Sequence, residues 1–293
     1  MVWEGKPRAA IAHVDQLLSN YRVDVHGNLA SLYGAHDPGC CSFSMRALAL
    51  VMMGHLDQAD AASAKAVELC EQLGHKPSIA QTLQFRAEYC LMLDRWDDAA
   101  AAVTTCRSLS RQFSLGNYLD YANLMEGWVR VVQGEVEEGL RQAEAALKAL
   151  RAIPSRRFHM PIRIGSVARA RAAARDIEGA LALFDEAIDE VPITGERWYE
   201  PELRRFKAEM LLALPQPRVA EAEHSLWTAI VAAREQEAKL WELRAATELA
   251  DLWKGQGRTA QARELLAPIH GWFAEGLEGP DVRRATQMLA RLP

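Results

Sequence analysis

Three stretches of this 293-residue chain gather the residue types that chemistry needs. The first is His36-Asp37-Pro38-Gly39-Cys40-Cys41, which puts an imidazole, a carboxylate and two thiols side by side. Thiol catalysis needs an imidazole held against the thiolate, and nothing in this spacing places one there. Asp37 before Pro38 reads instead as a helix start, with an N-cap acceptor followed by Pro at the first helical position. The second stretch is Gly195 to Arg205, GERWYEPELRR, with charges of both signs around two aromatics. Arg and aromatics are enriched at interfaces. The same residues also suit a ridge of ion pairs between helices, with Trp198 and Tyr199 in the core. The third is the run Arg151, Arg156, Arg157, Arg163, Arg169, Arg171 and Arg175, whose one acidic neighbour along the chain is Asp176. Such a run offers forks for phosphate or carboxylate, or stays solvated.

Other chemistry was sought without a match. The chain has no G-x-x-x-x-G-K-[ST], no G-x-G-x-x-G, no H-E-x-x-H and no C-x-x-C. Its eight His are scattered. The sequence therefore predicts no catalytic residue, no cofactor and no metal site.

What positions these residues is a repeat. A small residue opens a second helix at Ala10, Ala59, Ala99, Gly139, Ala180, Ala222 and Ala262. From Ala59 onward the steps are 40, 40, 41, 42 and 40 residues. Small residues precede these at Ala47, Ala87, Gly127, Ala168, Ala208 and Ala250, and follow at Ala66, Cys106, Ala146, Ala187 and Ala229. Between the helices sits a turn position at Gly5, Gly54, Asp94, Gly134, Arg175, Pro217 and Gly257. Self-similarity at this period marks a stacked array. Abundant Ala and Leu favour helix over strand. The expected helices lie at about 38–52, 56–73, 78–92, 96–113, 117–132, 136–151, 160–173, 177–190, 197–213, 219–236, 238–254 and 259–274, with a capping helix near 280–291.

The reading is one helical-repeat array over 1–293, of about six helix pairs. It opens on a half-repeat, because Trp3 to Ala10 reads as a turn and a second helix with no first helix before it. That start suits a piece of a longer chain. The step from Ala10 to Ala59 is 49 residues, so Arg22 to His36 carries an insertion. A net charge of -5 argues against nonspecific nucleic-acid binding. No apolar run reaches the ~20 residues that span a membrane, and no signal-peptide pattern opens the chain. The five cysteines fit reduced core thiols of a cytoplasmic protein.

In such an array the first helix of each pair faces inward. The inner positions are Ser44 and Leu48, Gln84 and Glu88, Leu124 and Trp128, Gly165 and Arg169, Arg205 and Glu209, Thr247 and Asp251. Stacking consumes the small columns, which leaves this concave wall for binding. Trp128 with Arg163, Arg169, Arg205 and Glu209 is the expected site. An aromatic beside arginines is the composition of binding hot spots. The expected partner is a protein or peptide of acidic character, or domains of the protein's own longer chain. Asn in register, which would serve an extended-peptide receptor, is absent from the pattern.

The spacing of small residue, Gly and Ala within each unit resembles the tetratricopeptide repeat, whose usual period is about 34 residues. The segments HDPGCCSFSMRALALVMMG, TGERWYEPELRRFKAEMLLAL and LWKGQGRTAQARELLAPIHGWFAEGLEGPDV resemble the C-terminal repeat region of bacterial multidomain signalling proteins. Those proteins join a class III adenylate/guanylate cyclase or a winged-helix domain to a STAND-type ATPase and then to tetratricopeptide-like repeats. The resemblance runs from about His36 onward, and 75–160 is carried by periodicity more than by specific words. It implies an all-α superhelix and a regulatory role, with the repeats binding a partner that restrains or releases enzymatic domains elsewhere. The family's nucleotide and catalytic residues lie in those other domains, so none is carried over here. A free-standing adaptor that bridges two partners fits the same residues.

Overall fold

The structure is a computed structural model that describes residues 1–27, 29–33, 36–153 and 159–292. Among the described residues every regular element is a helix. The chain opens with α1 (Pro7–Asn20), and two short helices, α2 (Val23–His26) and α3 (Leu29–Tyr33), fill the insertion. Helix pairs follow: α4 (Pro38–Met53) with α5 (Leu56–Leu73), α6 (Lys76–Met92) with α7 (Trp96–Gln112), and α8 (Gly116–Val132) with α9 (Val136–Arg151). Next come α10 (Met160–Ala173) with α11 (Ile177–Thr194), α12 (Glu200–Ala213) with α13 (Val219–Glu235), and α14 (Lys239–Gly255) with α15 (Thr259–His270). The short α16 (Pro280–Ala290) packs on both α14 and α15. This is the expected all-α, tetratricopeptide-like array of about 40-residue units. The largest boundary shifts are at α11, which runs on through Pro192, at α15, which stops at His270 with Pro268 in its last turn, and at α12, which starts at Glu200.

The turns explain the spacing of the repeat. The residue between paired helices takes a left-handed conformation, with φ of 80° at Gly54, 96° at Gly134 and 79° at Gly257. Asp94 and Arg175 take the same region without being glycine, at 55° and 67°. A left-handed residue lets the chain reverse after a helix end and satisfy its last carbonyls.

The small columns lie where helices cross. Ala47, Ala87, Ala168, Ala208 and Ala250 are buried, as are Ala59, Ala99, Ala180, Ala222 and Ala262 on the helices they pair with. The tightest crossing is α8 on α9. A Cβ placed at Gly127 would lie 2.7 Å from the backbone N of Ala143 and from the carbonyl O of Gly139. Only glycine lets these backbones come so close.

The superhelix turns far enough for its ends to meet. The backbone N–H of Trp198 donates to the Trp3 carbonyl at 3.1 Å, and the Trp3 ring packs on His159, Trp198 and Phe85. At the other end Phe273 and Trp272 lie against Gly54, and Gln58 donates to Glu275 at 3.0 Å. Across the middle Arg244 Nη2 donates to the Met92 carbonyl at 2.5 Å. The closure buries inner positions that the sequence offered as an open wall: Ser44, Leu48, Glu88, Leu124 and Thr247 are all inaccessible. No helix among the described residues is long and apolar enough to cross a membrane.

Candidate functional site

What remains of the inner wall is a row of clefts along α8, α10, α12 and α14. Trp128, Arg169 and Glu209 line one cleft of about 420 Å³ between α10 and α12. Arg169 and Arg205 line a second, polar cleft of about 150 Å³. Arg205 and Glu209 line a third, of about 620 Å³, towards α14. Trp128, Arg163 and Arg169 also border a cavity of about 20 Å³, which side chains almost fill. The five expected site residues are therefore strung along adjoining spaces, but their surroundings differ.

Arg205 is saturated. Its Nε and Nη2 donate to the two oxygens of Glu202 at 2.8 and 3.1 Å, and its Nη1 donates to Glu248 at 2.6 Å. Its guanidinium also lies 4.0 Å from the Phe206 ring centre. Glu202 takes a third bond from Arg244 Nη1 at 2.9 Å, and Arg244 in turn grips Asp281 of α16. Burial alone would raise the Glu202 carboxyl, but Arg205 and Arg244 outweigh it and hold it at about 2. Burial does raise Glu248 above the ordinary carboxylate value.

Arg163 is engaged in a buried polar cluster. Its guanidinium lies 5.1 Å from the Tyr121 ring centre, and only 7% of the residue is exposed. Tyr121 donates to Glu88, and His159 Nδ1 lies 3.3 Å from the same carboxylate. The His159 backbone N–H donates to Glu196 at 2.9 Å. Burial pushes the Tyr121 hydroxyl well above its usual range and raises Glu196. No periodic signal marks this cluster, because its members come from α6, α8, α10 and two loops.

Arg169 is different. Its guanidinium sits 4.6 Å from the Trp128 ring centre and 4.4 Å from that of Phe206, and it makes no hydrogen bond or ion pair among the described residues. Burial lowers it from the ordinary arginine value, and Tyr199 and Asp94 act against that fall. Trp128 itself is nearly buried, edge-on to Trp96 at 6.3 Å. Glu209 is exposed. Sequence reasoning assigned no role to Phe206, although its register one position past Arg205 puts it on the same wall.

The other candidate stretches take structural roles. Asp37 caps α4 by accepting from the Cys40 N–H at 2.9 Å, and it also holds the Tyr21 hydroxyl at 2.9 Å. Burial raises the Cys40 thiol far above its usual range, so it is not a ready nucleophile. Trp198 and Tyr199 are core, and Arg197 and Arg204 pair with Glu200. The Arg run is compensated in part. Arg151 pairs with Glu186, and Arg171 pairs with Glu144 and Asp176, so acids compensate these two members, whereas Arg169 and Arg175 make no ion pair among the described residues. Arg156 and Arg157 lie outside the described residues.

No family model matches the chain. An uncharacterized protein of Rhizobium meliloti is 24% identical over 231 residues, which cover 79% of this chain. The chain spans 20% of the length of that relative. Among solved structures it resembles a Signal Transduction ATPase with Numerous Domains (STAND) protein with a tetratricopeptide repeat sensor from Pyrococcus horikoshii. That likeness has a TM-score of 0.50 at 16% identity, and covers 98% of this chain and 43% of the other. The fold defines the class: an all-α helical-repeat array of tetratricopeptide type.

Proposed function

We propose that this chain is a non-catalytic interaction and regulatory module, the sensor or scaffold region of a longer cytoplasmic signalling protein of the STAND-ATPase or nucleotide-cyclase kind. Three facts support the reading. The fold matches a protein that carries a tetratricopeptide repeat sensor. The chain spans only a fifth of its sequence relative. The inner wall presents Arg169, a cation stacked on two rings with no ion-paired anion among the described residues. The last of these carries the proposal. A half-buried guanidinium without a hydrogen-bonded partner costs free energy, and a carboxylate brought by something else removes that cost. The partner is an acidic protein segment, or a domain of the protein's own longer chain. Nucleic acid is disfavoured by the net charge of -5.

The test is binding in trans. The remainder of the longer chain, expressed separately, is titrated against this module, and any nucleotide turnover it shows is followed. Association or altered turnover that Arg169→Glu weakens, with the helical spectrum intact, is the expected result. Association untouched by that reversal would remove Arg169 from the interface. ATP turnover by the purified module itself, abolished by a point mutation within it, would sink the non-catalytic assignment.

A further inference from the structure

The cleft between α10 and α12 has the makings of a small-molecule site. We propose that it binds a small organic acid, a carboxylate on an apolar body, with the carboxylate received by Arg169. This rests on the reading of Arg169 as a recognition residue, but it concerns a different occupant from a protein partner.

Charge is the first argument. Two arginines line the cleft, Arg169 and Arg175, and neither guanidinium makes an ion pair or hydrogen bond among the described residues. One carboxylate, Glu209, stands against them, itself without an ion pair, so the cleft carries net positive charge.

Geometry is the second. Trp128 and Phe206 both lie against the Arg169 guanidinium, at 4.6 and 4.4 Å from their ring centres, and form no ring pair with each other among the described residues. Its N–H groups make no hydrogen bond or ion pair among the described residues, so they are left to offer. Together they form a planar fork matched to a carboxylate. The stacking also holds the fork in place before a ligand arrives, which reduces the ordering cost of binding.

Lining and size give the third. Beyond the fork the walls are Ile177, Phe184, Phe206, Met210 and three alanines. A volume of about 420 Å³ falls in the range of small-ligand clefts. Towards Arg163 the cleft is closed off. Side chains nearly fill the space beside Arg163, and Arg205 is locked by Glu202 and Glu248. A compact acid fits the cleft. The apolar lining favours an organic acid over inorganic phosphate.

Isothermal titration of the whole chain with 4-phenylbutyrate, 4-phenylbutyramide and inorganic phosphate tests this. The acid should bind about tenfold or more tightly than the amide, the difference expected of charge-assisted bonds. Arg169→Gln should bring the acid to the level of the amide. Ala213→Trp, at an exposed lining position, should weaken both by filling the cleft. Acid and amide binding alike, phosphate binding as well as the acid, or acid binding unchanged in Arg169→Gln would each overturn the proposal. If Arg169→Gln fails to fold, the acid–amide contrast in the unaltered chain and its loss in Ala213→Trp still decide. Loss of this proposal leaves the interaction module standing when an acidic partner segment still binds in trans. Loss of partner binding with acid binding retained has the opposite meaning.

Discussion

Two arginines one repeat apart on the same wall, Arg169 on α10 and Arg205 on α12, share a ring and little else. Phe206 stacks on both, at 4.4 and 4.0 Å. Arg205 is closed in by Glu202 and Glu248, and through Glu202 it is tied to Arg244 and Asp281. Arg169 has aromatic faces and an open cleft. The first arrangement fixes the C-terminal repeats to one another and, through Met92, to the N-terminal half. The second fixes only the direction of one cation. Saturated bonds mark Arg205 as a structural charge, and the bonds that Arg169 lacks support the binding role proposed for it.

The largest effect should come from breaking the closed side. Glu202→Gln leaves Arg205 and Arg244 buried without their shared anion, and is expected to cost about 3–5 kcal/mol. Arg169→Gln, which strands no buried acid, should stay within about 1 kcal/mol of the unaltered chain. Urea denaturation measures both, and equal losses would erase the contrast. Acid gives the same comparison. Glu202 has its pKa lowered from 4.5 to about 2, so the stability it contributes is complete above the unfolded value and is lost as pH falls towards the folded one. Denaturation midpoints should therefore drop between about pH 4.5 and 2 in the unaltered chain and in Arg169→Gln. The Glu202→Gln variant should lack that share of the drop.

A smaller effect is expected at the seam beneath Trp128. Gly127 meets Gly139 and Ala143 so closely that Gly127→Ala must part α8 from α9, at about 1–3 kcal/mol. Because Gly127 precedes Trp128, this variant should also disturb ligand binding at Arg169. The acid response set by Glu202 on α12 should persist. A variant as stable as the parent would show that the crossing gives way more easily than the backbone distances imply.

The seam was legible in the sequence and much of the wall was not. Ala59, Ala99 and Gly139 recur because every unit solves the same crossing, so a period exposes them. The left-handed turns at Gly54, Gly134 and Gly257 were legible for the same reason. Trp128, Arg169 and Glu209 were placed on the inner face by register, and they do line one cleft. The engagement of Arg205 was half visible. Glu202 lies three residues before it on the same helix, but Glu248 is 43 residues on, across the next repeat. The bond from Arg244 to Met92 spans 152 positions and depends on the pitch of the whole coil, which no local pattern states. The same pitch buried Arg163 with Glu88 and His159, and brought Glu186 to Arg151 and Glu144 to Arg171.

The smallest effect bears most directly on what holds Arg169. Removing either Trp128 or Arg169 changes several things at once, so single variants do not isolate the stack. A cycle of Trp128→Leu, Arg169→Gln and the double variant does, provided neither single change creates new contacts. A guanidinium over an indole at a half-exposed position is worth about 0.5–1 kcal/mol. The stability coupling should fall in that range and vary little with salt, because the attraction acts over 4.6 Å within a partly desolvated cleft. The matching cycle with Arg205 in place of Arg169 should give no coupling to Trp128, since Arg205 stacks on Phe206 and is held by carboxylates. Zero coupling at Arg169 would mean that the ring does not position the cation. The fork would then be free to swing, and the cleft would lose the preorganised anion receptor on which its distinction from Arg205 depends.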